Sequence, residues 1–592
     1  MRLGDADGDC AVTSSLRALS TRRPDLAAPA GLADAKRRED VDRQEPVETR
    51  AATVCRSTAE EPAGTIGAKR SSSTVPASTA TAVEAGMGCS LAKALDDCIA
   101  RKIAKREATC RRFARRAKRR AALGVVLGPT KIVSGFPAPQ FDPVHVRSRR
   151  AVFKHALEKK LSNGTYEPLP ALMREIEKPD GGVRHVIELA VPDLAVSLHL
   201  FRRMMHEHGS KLGDHAFAYR LDRADLNAAA AVDHIRRALH EHPRLFVVEF
   251  DFKDFFDSID HAYLFRVLRR MGVAHDDIAL IRKLVLQGRV STTQDYVHGG
   301  TCPVCGVGQG SPISLFLANV ACWELDVAIL RVATAYARFG DDSVVLVRTR
   351  EEADEVKALF LRHCAKSGLK INTKKSPGIR VFSATTWAGA QPTAYIDFLG
   401  RRIFRDGVGL SDRSVERMKA RVSLAIHRHL VLAAETPLGL SNPEDATRGL
   451  RGALKRLLLG GVPMHEVRRV LGGGPIVKQP RAYLRQLAFP DAAGNEALRD
   501  LDRWLLQEVQ AAWRKRVRIA DGRGVIVPPL MKRDIYSDAS LPSFQLGSRY
   551  VRVWSRRKPE AHLERYEEFD DPDDDDDDDD ETDSASEDWR DS

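Results

Sequence analysis

The stretch ARFGDDSVVLV, residues 337–347, sets two adjacent aspartates, Asp341 and Asp342, behind a glycine and between apolar runs. Tyr336 to Phe339 and Ser343 to Val347 read as the arms of a hairpin, with Gly340 and Asp341 in its turn. Successive strand residues point to opposite faces, so such an arm is half committed to a core. Two carboxylates in that setting repel each other and resist burial. A fold can keep them only at the end of a sheet where a cation or a cationic ligand is expected.

A second carboxylate strand lies upstream. LFVVEFDFKDFFDSIDHAYLFRVLRRMG, residues 245–272, begins as a strand from Leu245 to Phe252 with Asp251 near its end. A helix follows, with Leu264, Val267, Leu268 and Met271 on one face and Gly272 as its stop. If the hairpin lies beside this strand, Asp251, Asp341 and Asp342 converge. Three carboxylates together are favourable only around a divalent cation, and oxygen-only ligation suits magnesium, with manganese as the second candidate. Two such ions ~3.5–4 Å apart would activate a hydroxyl and stabilise a leaving oxygen, which is the chemistry of nucleotidyl transfer.

Two further stretches fit phosphate-bearing substrates. In GVGQGSPISLFLANVACWELD, residues 306–326, Ser311 is expected to cap a helix and Pro312 to begin it. Gln309 offers an uncharged hydrogen-bonding group, and Gly310 removes a side chain where a base pair would lie close. In REIEKPDGGVRHVIEL, residues 174–189, Asp180, Gly181 and Gly182 make the turn of a hairpin flanked by Lys178 and Arg184, two cations placed to hold a triphosphate.

Charge points the same way. The formal net charge is +12, yet the 29 residues from Glu564 to Ser592 hold 18 acidic residues and two arginines, a net of −16, so the rest carries +28. A body that basic favours a polyanionic partner such as nucleic acid. From Arg101 to Arg120, 11 of 20 residues are Lys or Arg in a helical pattern suited to a phosphate backbone. The run DDDDDDDD, residues 573–580, reads as a solvated acidic tail, with mimicry of nucleic acid as the sharper alternative. No apolar run approaches the ~18 residues of a membrane span, and the N-terminus has no apolar signal core. A cytoplasmic protein with reduced thiols and no membrane partner is expected. CPVC, Cys302 to Cys305, lacks a second cysteine pair at zinc-finger spacing, so two thiols in a turn are expected over a metal site.

Taken in order and spacing, FDFKDFFDSIDH, GQGSPISLFLANV, RFGDDSVVL, GLKINTKKS (residues 368–376) and the Phe398-Leu399-Gly400 triplet resemble the reverse transcriptase family, in its bacterial branch of group II intron, retron and defence-associated enzymes. AFAYRLDRADLNAAAAV, residues 216–232, resembles a further block loosely. The resemblance implies an α+β right-hand polymerase whose fingers and palm combine an antiparallel sheet with helices, followed by a helical thumb. It implies that Asp251, Asp341 and Asp342 hold two magnesium ions and that Phe256 is the aromatic gate excluding a ribose 2′-hydroxyl. Lys178 and Arg184 would grip the dNTP triphosphate, Gln309 would touch template or nucleotide, and Lys375 would protonate the pyrophosphate. Phe398, Leu399 and Gly400 would form the primer grip. RNA template, DNA primer or product and dNTPs are the implied partners.

The expected organisation is a disordered extension over residues 1–92, a basic helical arm over 93–150, fingers and palm over 151–405, a helical thumb over 406–555 and a disordered acidic tail over 556–592. Phe339-Gly340 stands where the family has Tyr-Ala, and Gly308 where it has a proline before the glutamine. Gly-Asp-Asp also occurs in RNA-dependent RNA polymerases, where a carboxylate like Asp257 follows the first aspartate closely. An RNA polymerase, an intron maturase-like protein and a catalytically idle RNA-binding protein are therefore the alternatives. No retron-type Val-Thr-Gly or HNH-type metal motif is seen in the later region. A domesticated enzyme of antiviral defence using a dedicated non-coding RNA is thus the expected setting in a bacterial cytoplasm. Priming mode and oligomeric state stay open at this level.

Overall fold

The computed structural model of the protein describes residues 90–122, 136–177, 182–291, 296, 299–373, 375–435, 443–460, 462, 464–475, 492–526 and 543–557. Almost all of the expected N-terminal extension, the acidic tail beyond residue 557, Lys178 and the turn residues Asp180 and Gly181 lie outside these.

The chain enters through a long basic helix, α1 (Leu91–Ala122), whose first turns bury Leu91, Ala94, Leu95, Cys98 and Ile99. A hairpin follows, β1 (Ala171–Glu177) and β2 (Val183–Glu188), antiparallel with Glu177 opposite Val183. Next come α2 (Val191–His208) and α3 (Ala228–Glu241), the latter capped by the Asn227 side chain. The strand β3 (Leu245–Lys253) then crosses the middle of the main sheet.

After β3 the chain folds through α4 (His261–Arg270), capped by Asp260 and ended before Gly272 at φ +75°, as its sequence requires. The short strand β4 (Arg289–Val290) pairs parallel with β1. The helix α5 (Ile313–Ile329) is buried almost throughout. The hairpin β5 (Ala335–Phe339) and β6 (Asp342–Val347) leads to α6 (Arg350–Ser367), which has a capping box between Thr349 and Glu352 and Gly368 at its C-terminus in the left-handed region. β7 (Lys370–Ile371) and β8 (Gly378–Phe382) return to pair with β3, and β9 (Gln391–Thr393) runs parallel to β8. The main sheet has the order β5-β6-β3-β8-β9, with β7 on the end of β3. A separate antiparallel sheet joins β10 (Ile396–Phe398), β11 (Arg401–Ile403) and β12 (Val408–Leu410). Helices then dominate, from α7 (Asp412–Ile426) through Pro443–Leu459, Met464–Leu471, Ala492–Asp521 and Phe544–Arg557, around their own apolar core of Leu450, Leu454, Leu501 and Trp513.

β3 is central and apolar on both faces, so its pattern is a nearly continuous hydrophobic run. Phe246, Val248, Phe250 and Phe252 enter the core beneath α5 and α6, whereas Leu245 and Val247 enter the core under α3 and the β10–β12 sheet. Glu249 and Asp251 continue that second face toward the strand's end. The arrangement is α+β, a helix-backed and largely antiparallel sheet followed by a helical segment, the layout that the sequence resemblance implies. Among the described residues no helix is long and apolar enough to cross a membrane.

One local expectation is corrected, and another gains a local cause. Ser311 does not cap α5. Pro312 takes the cap position, and the Ile313 amide donates to Ser197 Oγ of α2 at 3.0 Å, while Ser311 Oγ lies 2.8 Å from the same hydroxyl. Gly310 has a cause within its own chain as well. Its φ is +105°, and a Cβ there would come within 2.3 Å of the Ile187 carbonyl oxygen. Gly310→Ala is therefore expected to lower the unfolding free energy by about 1–3 kcal/mol, read as a fall in thermal midpoint.

Candidate active site

The antiparallel register of β3 and β6 sets Asp251 directly opposite Asp342, so both side chains leave the same face of the sheet. Asp341 precedes Asp342 in the two-residue turn. Asp251 is buried, while Asp341 and Asp342 are half-buried. Burial, and next the charge of Asp251, pushes Asp341 above the ordinary carboxylate range. Burial followed by the charges of Asp341 and Asp251 pushes Asp342 up to about 7. The three carboxylates thus act on one another electrically, as their spacing in the sequence suggests.

The segment after α6 wraps the end of β3. Asn372 Nδ2 donates to Asp251 Oδ2 at 2.7 Å, and the Asn372 amide donates to the Asp251 carbonyl at 2.8 Å. The Asp251 amide donates to Ser376 Oγ at 3.3 Å, and Lys375 Nζ sits 3.4 Å from Asp251 Oδ2 with its side chain half exposed. Arg184, exposed on β2, is close enough for its charge to draw Asp341 downward. Asn372 and Ser376 were not singled out from the sequence, although GLKINTKKS contains both.

Phe256 lies in a one-turn helix, Phe255–Ser258, that follows β3 at once. It is buried, with its ring edge-on to Phe255 at 5.5 Å and to Tyr219 at 6.4 Å. Its carbonyl accepts from the Val307 amide at 2.7 Å, which ties it to the loop before Gln309. Gln309 hangs on β2 through the Ile187 amide, which donates to the Gln309 carbonyl at 2.7 Å. Its Oε1 is buried and has no hydrogen-bond partner among the described residues, an acceptor left for a ligand. Gly340 has φ +67°, and a Cβ there would lie 3.3 Å from the Tyr219 hydroxyl.

The Phe398-Leu399-Gly400 triplet forms the β10–β11 turn. Leu399 at φ +52° and Gly400 at φ +74° are the two successive left-handed residues that a tight hairpin demands. Phe398 is buried in the core shared with α3, so the turn would offer a primer its backbone more than that ring. Ser414 Oγ of α7 donates to the Gly400 carbonyl at 2.8 Å, which braces the turn from the helical segment. Cys302 and Cys305 are exposed, and Cys305 Sγ donates to the Asp257 carbonyl at 3.4 Å.

Residues 176–403 match the family described as reverse transcriptase (RNA-dependent DNA polymerase). A retrovirus-related Pol polyprotein from a type-2 retrotransposable element of Drosophila melanogaster is 27% identical over 157 residues, covering 25% of this chain and 15% of its own length. Protein YkfC of Escherichia coli is 26% identical over 195 residues, covering 32% of this chain and 50% of its own. The chain therefore spans half or less of these curated relatives. Among solved structures, telomerase from Candida albicans overlaps 69% of each chain at 12% identity and a TM-score of 0.33. The RNA-dependent RNA polymerase of a human picobirnavirus overlaps 51% of this chain and 59% of its own at 17% identity and a TM-score of 0.31.

Asp251, Asp341 and Asp342 present an oxygen-only donor set, the kind that suits magnesium. A divalent cation among them would reverse the upward push on Asp341 and Asp342. Among the described residues no group of three or more His, Cys, Asp or Glu converges closely enough to hold a metal ion, so the carboxylates would have to draw together around one.

Replacing one of these charges with a neutral isostere should relieve the ion-free site. Because the folded protein holds Asp342 up to about 7, native protein binds the extra proton between the ordinary carboxylate range and neutral pH, and stability falls as pH rises through that window. Asp342→Asn is expected to raise the thermal midpoint in chelator at pH 8 and to lose that advantage at pH 5. Added magnesium is expected to raise the wild-type midpoint more than that of Asp342→Asn.

Proposed function

We propose that the chain is an RNA-directed DNA polymerase that extends a primer with dNTPs on an RNA template. The observation that carries this reading is the Asp251–Asp342 cross-strand pair with Asp341 in the adjoining turn, set within residues that match the reverse transcriptase family. Magnesium bound to Asp251, Asp341 and Asp342 would activate the primer hydroxyl and offset charge on the leaving pyrophosphate.

The chain's own groups supply positioning. Arg184 and Lys178 bring cations to the triphosphate. Phe256, walled by Tyr219, fills the space that a ribose 2′-hydroxyl would need. Gln309 offers its open Oε1 to a base or sugar. Lys375, already beside Asp251, stands ready to donate a proton to the departing pyrophosphate. The β10–β11 turn supports the primer end. On α7, Arg413, Arg417 and Arg421 are exposed at one-turn intervals. Desolvation and then the two flanking arginines lower Arg417; such a row of cations suits a phosphate backbone.

An RNA polymerase is the second reading, suggested by Gly-Asp-Asp and by Asp257. The glycine has a local cause, however: a left-handed turn residue close to the Tyr219 hydroxyl. It therefore counts little for that reading. As the biological setting we favour a domesticated enzyme of antiviral defence in a bacterial cytoplasm with a dedicated RNA, which rests on the sequence resemblance and is tested by sequencing nucleic acids that co-purify.

On a primed RNA template, magnesium-dependent incorporation of dNTPs over rNTPs is expected, with Asp341→Asn at background. Phe256→Ala should raise relative rNTP use by about 10–200-fold, the usual worth of one pocket contact. A wild-type preference for rNTPs would establish the RNA polymerase instead. Changing Arg413, Arg417 and Arg421 to Gln should reduce the salt slope of primer–template binding by about 3, near one per cation.

A further inference from the structure

Arg338 is an unexpected residue two positions before the catalytic turn. It lies in β5, a strand buried on both faces, and has no solvent exposure. By the two-residue alternation of the strand it points away from the face carrying Asp251 and Asp342, toward α5.

Its guanidinium is shared between two structures. Nε donates to Asp326 Oδ1 at 2.9 Å and Nη2 to Asp326 Oδ2 at 2.6 Å. Nη1 donates to Asn319 Oδ1 at 3.0 Å and to the Gly340 carbonyl at 3.2 Å. Asn319 and Asp326 are seven residues apart on α5, two turns along one face. The Tyr336 hydroxyl donates to Asp326 Oδ1 at 2.7 Å, and His215 Nε2 lies 3.4 Å from Oδ2. The Arg338 amide donates to the His215 carbonyl at 2.9 Å, and the Phe217 amide donates to the Arg338 carbonyl at 2.9 Å. Asn319 Nδ2 donates to the Ala218 carbonyl at 3.0 Å. The cluster thus joins α5, whose approach loop carries Gln309, to the catalytic hairpin and to the segment that presents Tyr219 to Phe256.

Stability alone is a poor reason for such a pair. Desolvating two charges costs about as much as their attraction returns, and apolar replacements of similar volume often serve as well. A planar guanidinium fork, by contrast, fixes direction as well as distance. The Gly340 carbonyl belongs to the peptide unit whose nitrogen is that of Asp341, and that unit is planar. Holding the oxygen therefore sets the plane from which the Asp341 side chain departs.

We propose that Arg338, oriented by Asp326 and Asn319, is a positioning residue that fixes the Gly340–Asp341 peptide and couples the catalytic turn to α5, whose approach loop carries Gln309. Arg338 touches neither substrate nor cation in this role, since it acts from the opposite face of the sheet. The inference rests on the polymerase reading above, and its test separates the two.

The experiment compares wild-type protein with Arg338→Lys and with the apolar double variant Arg338→Met/Asp326→Leu. The double variant removes both buried charges together, and lysine keeps the cation opposite Asp326 while losing the fork. Both are expected to melt near wild type and to bind primer–template and dNTP with unchanged Kd and KM. In both, kcat should fall on the order of 10–100-fold, the cost of a small misplacement of a reacting group. The magnesium concentration giving half of the thermal shift should rise as well. Wild-type kcat in Arg338→Lys would overturn the proposal whether or not the double variant folds, and so would parallel losses of kcat, substrate binding and melting temperature. If wild-type protein itself polymerises nothing, the polymerase reading fails. The magnesium titration then decides this inference, and an unchanged midpoint in Arg338→Lys overturns it.

Discussion

Repulsion between Asp251 and Asp342, opposite each other across β3 and β6, is the constraint that the surrounding structure answers. Burial first, and then the charge of the neighbouring carboxylates, pushes Asp341 and Asp342 upward. The strands hold this register because everything behind it is apolar and interlocked. A slip of one residue would send Phe246, Val248, Phe250 and Phe252 to the wrong face. The large two-sided core thus stabilises a local arrangement that is unfavourable by itself. The favourable partner of the arrangement is a cation, so the geometry that weakens the ion-free protein is the one that would serve catalysis.

The remaining site groups reach this point from separate elements. Asn372, Lys375 and Ser376 arrive with the segment after α6, Phe256 with the turn after β3, Gln309 with the loop before α5, and Arg184 with the β1–β2 hairpin. Short backbone hydrogen bonds connect these approaches, from Val307 to Phe256 and from Ile187 to Gln309. Displacement of one loop would therefore be felt by its neighbours, as expected of a site whose groups must be arranged together before substrate arrives.

Much of this was legible in the chain. The Gly340-Asp341 turn, the strand with Asp251 near its end and the helix stopping at Gly272 follow from local rules, because their signals are contiguous. Contacts between distant segments were not legible. Gly310 looked like clearance for a base pair, and only the course of β2 shows Ile187 to be the neighbour that excludes a side chain. Ser311 looked like a helix cap, whereas Ser197, more than a hundred residues away, supplies the hydroxyl. Arg338 drew no attention in the sequence. Its partners Asn319 and Asp326 lie on an apolar helix, and the one available hint was a pair of polar residues seven apart on one face of that helix.

The glycine of the Gly340-Asp341 turn shows why such contacts matter for reading function. From sequence, Phe-Gly-Asp-Asp set against the family's Tyr-Ala-Asp-Asp suggests a different polymerase class. In the fold, Gly340 takes a left-handed conformation, lies close to the Tyr219 hydroxyl, and gives its carbonyl to Arg338. Tyr219 itself has a positive φ and packs on Phe256. The residue type at 340 therefore reports how closely Tyr219 and the buried arginine approach the turn. It carries little information about sugar choice. In the proposed polymerase that discrimination would fall to Phe256 and the Tyr219 ring beside it, and Gly340 lets Tyr219 stand close to the turn.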